Sequence, residues 1–274
     1  MKIPFMKYQG LGNDFIIFQA EEIGEIQRSE LAIAVCDRHF GIGADGMVVL
    51  SEGQDLKMDF YNNDGTVAPM CGNASRCIAK YAVEQNLVAG DIFTLETLGG
   101  PVGLSLQEDG RVQVDLGEPD YSVDQVPVKC EMPEMVEEPI EAGGETLLWT
   151  GLFMLTTHAV TFVEEQNEER IERVGSALEN MTERFPIKTN ANFAKKVDDH
   201  TLRLMTWERG AGRTLACGTG ACAVVAVSDR LGLTEGHVRV IMDGGELEVY
   251  VENNRVFMIG TGEKIAEGFY EYGE

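Results

Sequence analysis

The chain contains a long internal repeat, and this feature limits its fold more than any other. When the segment from Leu56 is aligned with the segment from Leu202, an offset of 146 residues, Cys71 meets Cys217. Solenoid repeats are much shorter, roughly 20 to 50 residues. The repeat therefore predicts two homologous domains that face each other. Other aligned pairs are Tyr61 with Trp207, Asn62 with Glu208, Leu87 with Leu233 and Gly90 with Gly236.

Length and local pattern support this division. The chain has 274 residues, close to the roughly 250–300 at which one core usually gives way to two domains. Short β-rich segments outnumber helical patterns in each half, which predicts an α+β fold. The segment 118–139 contains four prolines and several acidic residues. We expect it to connect the two domains.

The spacing of apolar residues and turn formers predicts the main elements. We expect strands at 56–61, 92–95, 112–116, 202–207, 238–242 and 247–251. We expect helices at 30–38, 74–85, 167–179 and 220–231.

Composition excludes several classes of protein. The 22 Lys and Arg residues against 46 Asp and Glu give a net charge of −24, which repels nucleic acid and anionic membrane surfaces. We find no apolar run as long as a membrane span and no signal-peptide core. Six cysteines are too few for a disulfide scaffold of this size. We therefore expect a cytoplasmic protein that binds neither nucleic acid nor membranes.

Cys71 and Cys217 are the strongest functional candidates. Each stands before a glycine and a helical pattern, in MCGNASRC and ACGTGACA. A helix N-terminus lowers the pKa of a thiol, because unpaired N–H groups and the helix dipole favour the thiolate. The glycines leave backbone N–H groups accessible to a ligand. We predict a matched acid/base pair, with simple packing or a reversible disulfide as the alternatives.

Two other motifs have structural explanations. The segment GIGADG at 41–46 fits a dinucleotide fingerprint by its letters. A predicted helix precedes it and a β-rich segment follows, the reverse of the usual order, so we predict a turn. The pairs Cys71 with Cys77 and Cys217 with Cys222 lack the spacing of structural zinc sites. We expect no metal.

Two equivalent acid/base groups suit the inversion of a stereocentre. One group removes a proton from one face of a carbon, and the other returns a proton to the opposite face. The N–H groups of two helix N-termini could stabilise the negative charge that develops on a substrate carboxylate. The reaction would then need no cofactor.

Six segments carry a family resemblance, in this order: GLGNDF at 10–15, GIGADG, NNDG with MCGN, RFPIKTNANF, WERGAG and ACGTGACA. Across essentially its whole length the chain resembles the diaminopimelate epimerases, cofactor-independent enzymes that interconvert LL- and meso-diaminopimelate. The resemblance implies two pseudo-symmetric domains with a cleft between them. It implies an N-terminal domain of 1–117 plus 263–274 and a C-terminal domain of 118–262. It also implies an amino-acid substrate and, often, a homodimer.

The resemblance also implies roles for individual residues. Cys71, Cys217, His158 and Glu208 would be the catalytic residues, with the two cysteines as thiolate and thiol and with His158 orienting a thiol or tuning its pKa. Arg209 would pair with a substrate carboxylate, and Glu208 with an ammonium group. The substrate-binding residues would be Asn13, Asn62, Gly72, Asn73, Thr156, Asn190, Glu208, Arg209, Gly218 and Thr219.

The chain departs from the family pattern close to these residues. Where the family has Gly-Asn-Pro-His, this chain reads Leu-Thr-Thr-His at 155–158, so that Thr156 replaces an asparagine. Ala74 replaces a glycine and is expected to crowd the carboxylate site. Arg213 replaces a glutamate and is expected to reverse a charge near Cys217. These departures leave three alternatives open: a racemase of another amino acid such as histidine, an inactive ligand-binding relative, and an isomerase of a non-amino acid.

Overall fold

The computed structural model describes residues 1–53 and 55–273. The chain divides into two compact units. The N-terminal unit contains Met1–Asp115 together with the C-terminal segment that begins at Ile259. The C-terminal unit contains Leu116–Met258. Within the described ranges, no helix combines the length and the apolar character needed to span a membrane.

The N-terminal unit combines a mixed sheet with helices. Its elements are β1 (Lys2–Gly10), β2 (Asn13–Gln19), α1 (Ala20–Ile23), α2 (Arg28–Cys36), β3 (Gly46–Ser51), β4 (Leu56–Asn62), β5 (Val67–Ala68), α3 (Gly72–Glu84), β6 (Ile92–Thr97), β7 (Gly100–Leu106) and β8 (Val112–Asp115).

After one additional strand, the C-terminal unit repeats this order with a single helix in place of α1 and α2. Its elements are β9 (Glu138–Ala142), β10 (Glu145–Phe153), β11 (Thr157–Phe162), α4 (Glu168–Glu179), β12 (Asn190–Asp198), β13 (Thr201–Glu208), β14 (Gly212–Arg213), α5 (Gly218–Arg230), β15 (Val238–Met242), β16 (Gly245–Glu252) and β17 (Arg255–Gly260), and β18 (Glu263–Glu271) then returns to the N-terminal unit.

Strand pairing is the same in the two units. β2 runs parallel to β3, as β11 does to β12. β3 is antiparallel to β4 and β12 to β13, whereas β4 is parallel to β6 and β13 to β15. Each unit adds one strand in an equivalent place, because β18 pairs with β1 and β9 with β10. The α+β fold built from two homologous halves is confirmed.

The predicted elements lie close to the observed ones, and the helix ends have local causes. α2 ends at Cys36, two positions before the predicted Arg38, because the Asp37 carboxylate accepts hydrogen bonds from the N–H groups of His39 and Phe40, both at 2.7 Å. This turn diverts the backbone from the helix. The GIGADG segment then forms the predicted turn into β3.

The segment 118–139 packs against the core of the C-terminal unit. Val126 and Met135 are buried there, in the same cluster as Trp149 and Phe193. The rings of Trp149 and Phe193 meet edge to face, with 5.2 Å between centroids. Fully burying one aliphatic side chain contributes roughly 1.5–3 kcal/mol. The predicted connection is therefore an integral part of one unit.

Candidate functional site

The two cysteines hold the same local position in their units. Cys71 is the N-cap of α3 and Cys217 is the N-cap of α5, and both helices have 13 residues. Both backbones are extended, with φ and ψ of −140° and 115° at Cys71 and −125° and 107° at Cys217. Neither thiol caps its own helix. The predicted position of both cysteines at helix starts is confirmed.

Cys217 is paired with a carboxylate. Its Sγ donates a hydrogen bond to Oε2 of Glu208 at 3.2 Å. The other oxygen, Oε1, accepts a hydrogen bond from the Thr214 hydroxyl at 2.5 Å. Both oxygens of Glu208 are therefore engaged within the protein. This geometry places the Glu208 carboxylate at the thiol, while its contact with a substrate ammonium group stays a prediction.

The surroundings of Cys217 hold it in the thiol form. Burial, followed by the negative charge of Glu208, raises its pKa well above the usual 9.0. The Thr219 hydroxyl, 3.7 Å from Sγ, and the Gly220 N–H group act in the opposite direction but are outweighed. The prediction that the helix N-terminus lowers the pKa is therefore wrong for Cys217, because desolvation and a like charge dominate.

His158 is fully buried and neutral. Burial, aided by the nearby charge of Arg209, lowers its pKa to about 3. The side-chain amide of Asn192 donates to His158 Nδ1 at 3.0 Å and to the carbonyls of Ala159 and Asn190, both at 3.3 Å. An amide that donates to carbonyls requires Nδ1 to accept, so the imidazole proton is on Nε2. Nε2 has no hydrogen-bond partner among the described residues.

Asn192 was not among the predicted site residues, although it contacts several of them. A Cβ atom added at Gly220 would lie 2.5 Å from Asn192 Oδ1 and 3.2 Å from Cys217 Sγ. Gly220 thus allows α5 to approach Asn192 closely. The sequence holds a signal for this residue, because Asn190 and Asn192 are two positions apart and share one face of a strand.

The N-terminal unit has no counterpart to His158. Across β3 and β4, Gly46 pairs with Asn62, and Phe15 on β2 lies beside Gly46. In the C-terminal unit, Asn190 takes the position of Gly46, and its neighbour on β11 is His158. At this equivalent position, the N-terminal unit therefore has the phenyl ring of Phe15 and the C-terminal unit has the imidazole ring of His158.

Two predicted residues, Asn190 and Thr156, contact Arg209. The backbone N–H of Arg209 donates to Asn190 Oδ1 at 2.9 Å. Its guanidinium donates to the Ile187 carbonyl at 3.1 Å and to the Thr156 hydroxyl at 3.4 Å. The amide nitrogen of Asn190 donates to the Thr157 carbonyl at 2.9 Å. Asn190 therefore holds Arg209 in position, and the exposed guanidinium can bind an anion.

In the N-terminal unit, Asn13 and Asn73 are joined at the start of α3. Asn73 Nδ2 donates to Asn13 Oδ1 at 3.2 Å, and Asn13 Nδ2 donates to Asp45 Oδ2 at 2.7 Å. The fully buried Arg76 donates to Asn73 Oδ1 at 2.9 Å and to the Thr261 carbonyl at 3.0 Å. Arg76 and Asp45 were not predicted. Arg76 contacts Asn73 within the same helix, but its contact with Thr261 and the contact of Asp45 with Asn13 join distant segments, for which local spacing gives no signal.

The remaining predicted binding residues lie at turns and helix starts. Asn62 Nδ2 donates to Thr66 Oγ1 at 2.9 Å in the turn after β4, and the described hydrogen bonds do not join it to Asn13 or Asn73. Gly72 and Gly218 are the first residues of α3 and α5, and Thr219 is the second residue of α5. Their N–H groups belong to the first helical turn, which lacks intrahelical partners.

Two departures from the family pattern have local explanations. Ala74 is fully buried in α3, so its methyl group has no solvent-exposed surface. Arg213 forms an ion pair with Asp243 and donates to the Thr214 carbonyl. The expected charge reversal near Cys217 is therefore largely neutralised by Asp243. No cluster of three or more His, Cys, Asp or Glu side chains suited to a metal ion occurs among the described residues.

Comparison with known proteins gives consistent relatives. The family model described as diaminopimelate epimerase matches residues 5–122 and 154–265. The diaminopimelate epimerase of Alkaliphilus metalliredigens is 38% identical over 278 residues, which covers 98% of this chain and 98% of that protein. That of Caldanaerobacter subterraneus subsp. tengcongensis is 40% identical over 274 residues, with 97% and 99% covered.

Solved structures with the same fold are more distant in sequence. A PhzF-family phenazine biosynthesis protein from Bacillus anthracis has a TM-score of 0.70 at 15% identity, covering 98% of this chain and 99% of that one. A hydroxyproline epimerase from Agrobacterium vitis has a TM-score of 0.69 at 13% identity, with 98% and 92% covered. At these identities the likeness shows the fold alone.

Proposed function

The chain belongs to the diaminopimelate epimerase family and is an isomerase, and we propose that it converts LL-diaminopimelate into the meso isomer without a cofactor. The observation that carries this proposal is the pair of cysteines at equivalent helix starts, one of which donates a hydrogen bond to Glu208. A one-base enzyme would need only one such position. Two positions suit a reaction that adds and removes a proton on opposite faces of one carbon.

In the proposed reaction, Cys71 enters as the thiolate and Cys217 as the thiol. The α-carbon–hydrogen bond breaks, its proton passes to the sulfur of Cys71, and its electron pair remains on the substrate. The sulfur–hydrogen bond of Cys217 then breaks, and that proton joins the opposite face of the same carbon. The reverse reaction exchanges the two roles. The surroundings of Cys217 support this assignment, because burial and then the charge of Glu208 raise its pKa and keep the acid protonated.

The helix starts would bind the reacting end of the substrate. Negative charge moves onto the substrate's α-carboxylate as the proton leaves. We propose that the first-turn N–H groups of Gly72, Asn73, Gly218 and Thr219 donate hydrogen bonds to this carboxylate. His158 supports the same environment as a neutral Nε2–H donor, because its low pKa excludes the imidazolium form near neutral pH.

Arg209 would bind the carboxylate at the far end of the substrate. A guanidinium can bind a carboxylate through two parallel hydrogen bonds. The contacts from Asn190, Ile187 and Thr156 leave Arg209 exposed and oriented. Because Thr156 replaces an asparagine, a second candidate is a racemase of another amino acid. Asn13 and Asn62 would complete the binding residues from the N-terminal unit.

Proton NMR in deuterium oxide tests the proposal. Loss of the α-proton signal would be followed for LL-diaminopimelate, L-lysine, L-histidine and L-glutamate with no cofactor added. We expect exchange of diaminopimelate, abolished by Cys71→Ala and by Cys217→Ala. Exchange of a different amino acid would favour the racemase, and no exchange of any substrate would favour a ligand-binding relative.

We also propose that the protein acts in the cytoplasm in lysine biosynthesis and forms a homodimer. Light scattering coupled to size-exclusion chromatography tests the last point. A mass near 30.1 kDa, that of one chain, would contradict it.

A further inference from the structure

Glu179 is a buried carboxylate at an unfavourable position in its helix. It is the last residue of α4, and 6% of its surface is exposed. The free carbonyl groups at a helix C-terminus repel negative charge. Burial of a carboxylate also costs free energy unless hydrogen bonds compensate. Neither the helix nor the apolar core therefore explains an acidic residue here.

The compensating partners come from two separate segments. Oε2 of Glu179 accepts a hydrogen bond from Trp207 Nε1 at 2.8 Å. Oε1 accepts from the Gly210 N–H group at 3.1 Å and from Lys188 Nζ at 3.0 Å. Despite burial, these contacts hold the pKa of Glu179 below its usual value. The carboxylate is thus ionised at neutral pH.

The three partners are chain neighbours either of Arg209 or of a residue that it contacts. Trp207 and Gly210 stand on either side of it in the chain. Lys188 follows Ile187, whose carbonyl accepts a hydrogen bond from the Arg209 guanidinium. Lys188 also has a φ of 61°, a left-handed conformation that costs free energy in a residue with a side chain. Its ion pair with Glu179 helps to hold that conformation.

Helix α4 approaches the same segment closely at a second point. A Cβ atom added at Gly175, one turn before Glu179, would lie 2.5 Å from the Cβ atom of Trp207. The helix backbone at Gly175 therefore packs directly against Trp207, with no room for a side chain between them. Helix α4 thus meets the segment that carries Arg209 at both Gly175 and Glu179.

We propose that Glu179 is a positioning residue for Arg209, fixing the guanidinium where it binds the carboxylate at the far end of the substrate. The substrate named here rests on the proposed function. Glu208 has its own anchors in Thr214 and Cys217. Loss of Glu179 should therefore impair recognition of the distal carboxylate more than proton transfer.

Glu179→Gln tests the contacts without any substrate. The glutamine keeps the shape, but one acceptor oxygen is replaced by an NH₂ group, so the side chain cannot accept hydrogen bonds from both Trp207 and Lys188. The chain has two tryptophans, so ¹⁵N-labelled protein gives two indole signals. We expect the Trp207 indole signal to shift and that of the buried Trp149 to stay. An unchanged Trp207 signal in a folded variant would overturn the proposal.

Kinetics test the consequence for the substrate. L-Lysine matches diaminopimelate except that it lacks the distal carboxylate. In Glu179→Gln we expect the KM for diaminopimelate to rise about 10-fold, while kcat changes by less than about 3-fold. The preference for diaminopimelate over lysine, measured as the ratio of kcat/KM values, should fall about 10-fold. The exposed Glu172 lies on the same helix, so Glu172→Gln is the matched control and should retain wild-type values.

The outcomes separate this proposal from the proposed function. If wild-type protein exchanges no α-proton of diaminopimelate, the proposed function fails, while the indole signals still test the role of Glu179 at the turn. If wild type is active and Glu179→Gln loses kcat with an unchanged KM, the positioning role is overturned. If Glu179→Gln does not fold, Lys188→Met removes one of the three contacts and should raise the KM about 3-fold; an unchanged KM there would contradict the proposal.

Discussion

The thiol of Cys217 and the carboxylate of Glu208 are hydrogen-bonded, with 3.2 Å between Sγ and Oε2. The aligned residue in the other half of the repeat is the neutral Asn62. The duplication therefore has a cysteine at both helix starts, with a carboxylate nine positions before Cys217 and a neutral amide nine positions before Cys71.

Glu208→Gln should make Cys217 ionise at lower pH. Removing a neighbouring negative charge favours the thiolate, by about one to three pH units for a close partner. The extent to which iodoacetamide alkylates Cys217 would be measured by mass spectrometry as a function of pH. The midpoint of this profile should move to lower pH in the variant. Glu235→Gln changes an exposed carboxylate and is the control. Identical profiles in wild type and Glu208→Gln would contradict the role assigned to Glu208.

His158 should make stability depend on pH below neutrality. The pKa of His158 is about 3 in the folded protein, whereas its usual value, which applies to the unfolded chain, is 6.5. The unfolded chain therefore binds the proton first as the pH falls. Its contribution is fully present above pH 6.5 and is lost as the pH falls toward 3, at up to about 1.4 kcal/mol per pH unit.

Urea unfolding between about pH 7 and pH 5, above the range where most carboxylates titrate, would measure this loss. His158→Gln removes the titrating group, so its free energy of unfolding should vary less over this range. An equal pH dependence in the two proteins would show that other groups are responsible.

Gly220→Ala should destabilise the protein and impair turnover. Alanine normally stabilises a helix relative to glycine by about 1 kcal/mol. Here the new Cβ would lie 2.5 Å from Asn192 Oδ1 and 3.2 Å from Cys217 Sγ, and such overpacking costs about 1–3 kcal/mol. Thermal unfolding and α-proton exchange would measure both effects. At Gly90 a Cβ meets no atom within 4 Å, so Gly90→Ala should be close to neutral.

Thr156 should determine how well Arg209 is held. Thr156→Val removes the acceptor of one guanidinium hydrogen bond, and we expect the KM for diaminopimelate to rise about 5-fold, equivalent to about 1 kcal/mol. Thr156→Asn introduces the residue of the family pattern and should lower that KM. If Thr156→Asn improves exchange of another amino acid more than that of diaminopimelate, the specificity assigned to Arg209 is wrong.

Local features of the sequence predicted the framework well. The repeat at an offset of 146 residues corresponds to the repeated strand pairing of the two units, and the helices begin and end within two residues of their predicted limits. Asp37 shows why ends were missed, because the side chain that terminates α2 bonds to backbone groups beyond the helix. The periodicity of apolar residues shows which face of a helix is buried, but it does not show where a side chain such as Asp37 ends the helix.

The binding residues were predicted less completely. Asn190, Thr156 and Arg209 were expected to bind substrate, and they meet in the structure. Asn192 was missed although its spacing from Asn190 was a signal, whereas Glu179 was missed because its partners come from other strands and turns. Side-chain networks of this kind are specified by the packing of distant segments, which spacing along one segment does not reveal.

The sequence by itself determined the duplication, the α+β class, the helix starts at Cys71 and Cys217 and the membership of the family, because each depends on short-range patterns or their order. Only the tertiary structure decided the chemical state of the site. Burial and the charge of Glu208 keep Cys217 a thiol, and burial keeps His158 neutral. These states depend on solvation and on charges a few ångströms away, and both are set when distant parts of the chain pack together.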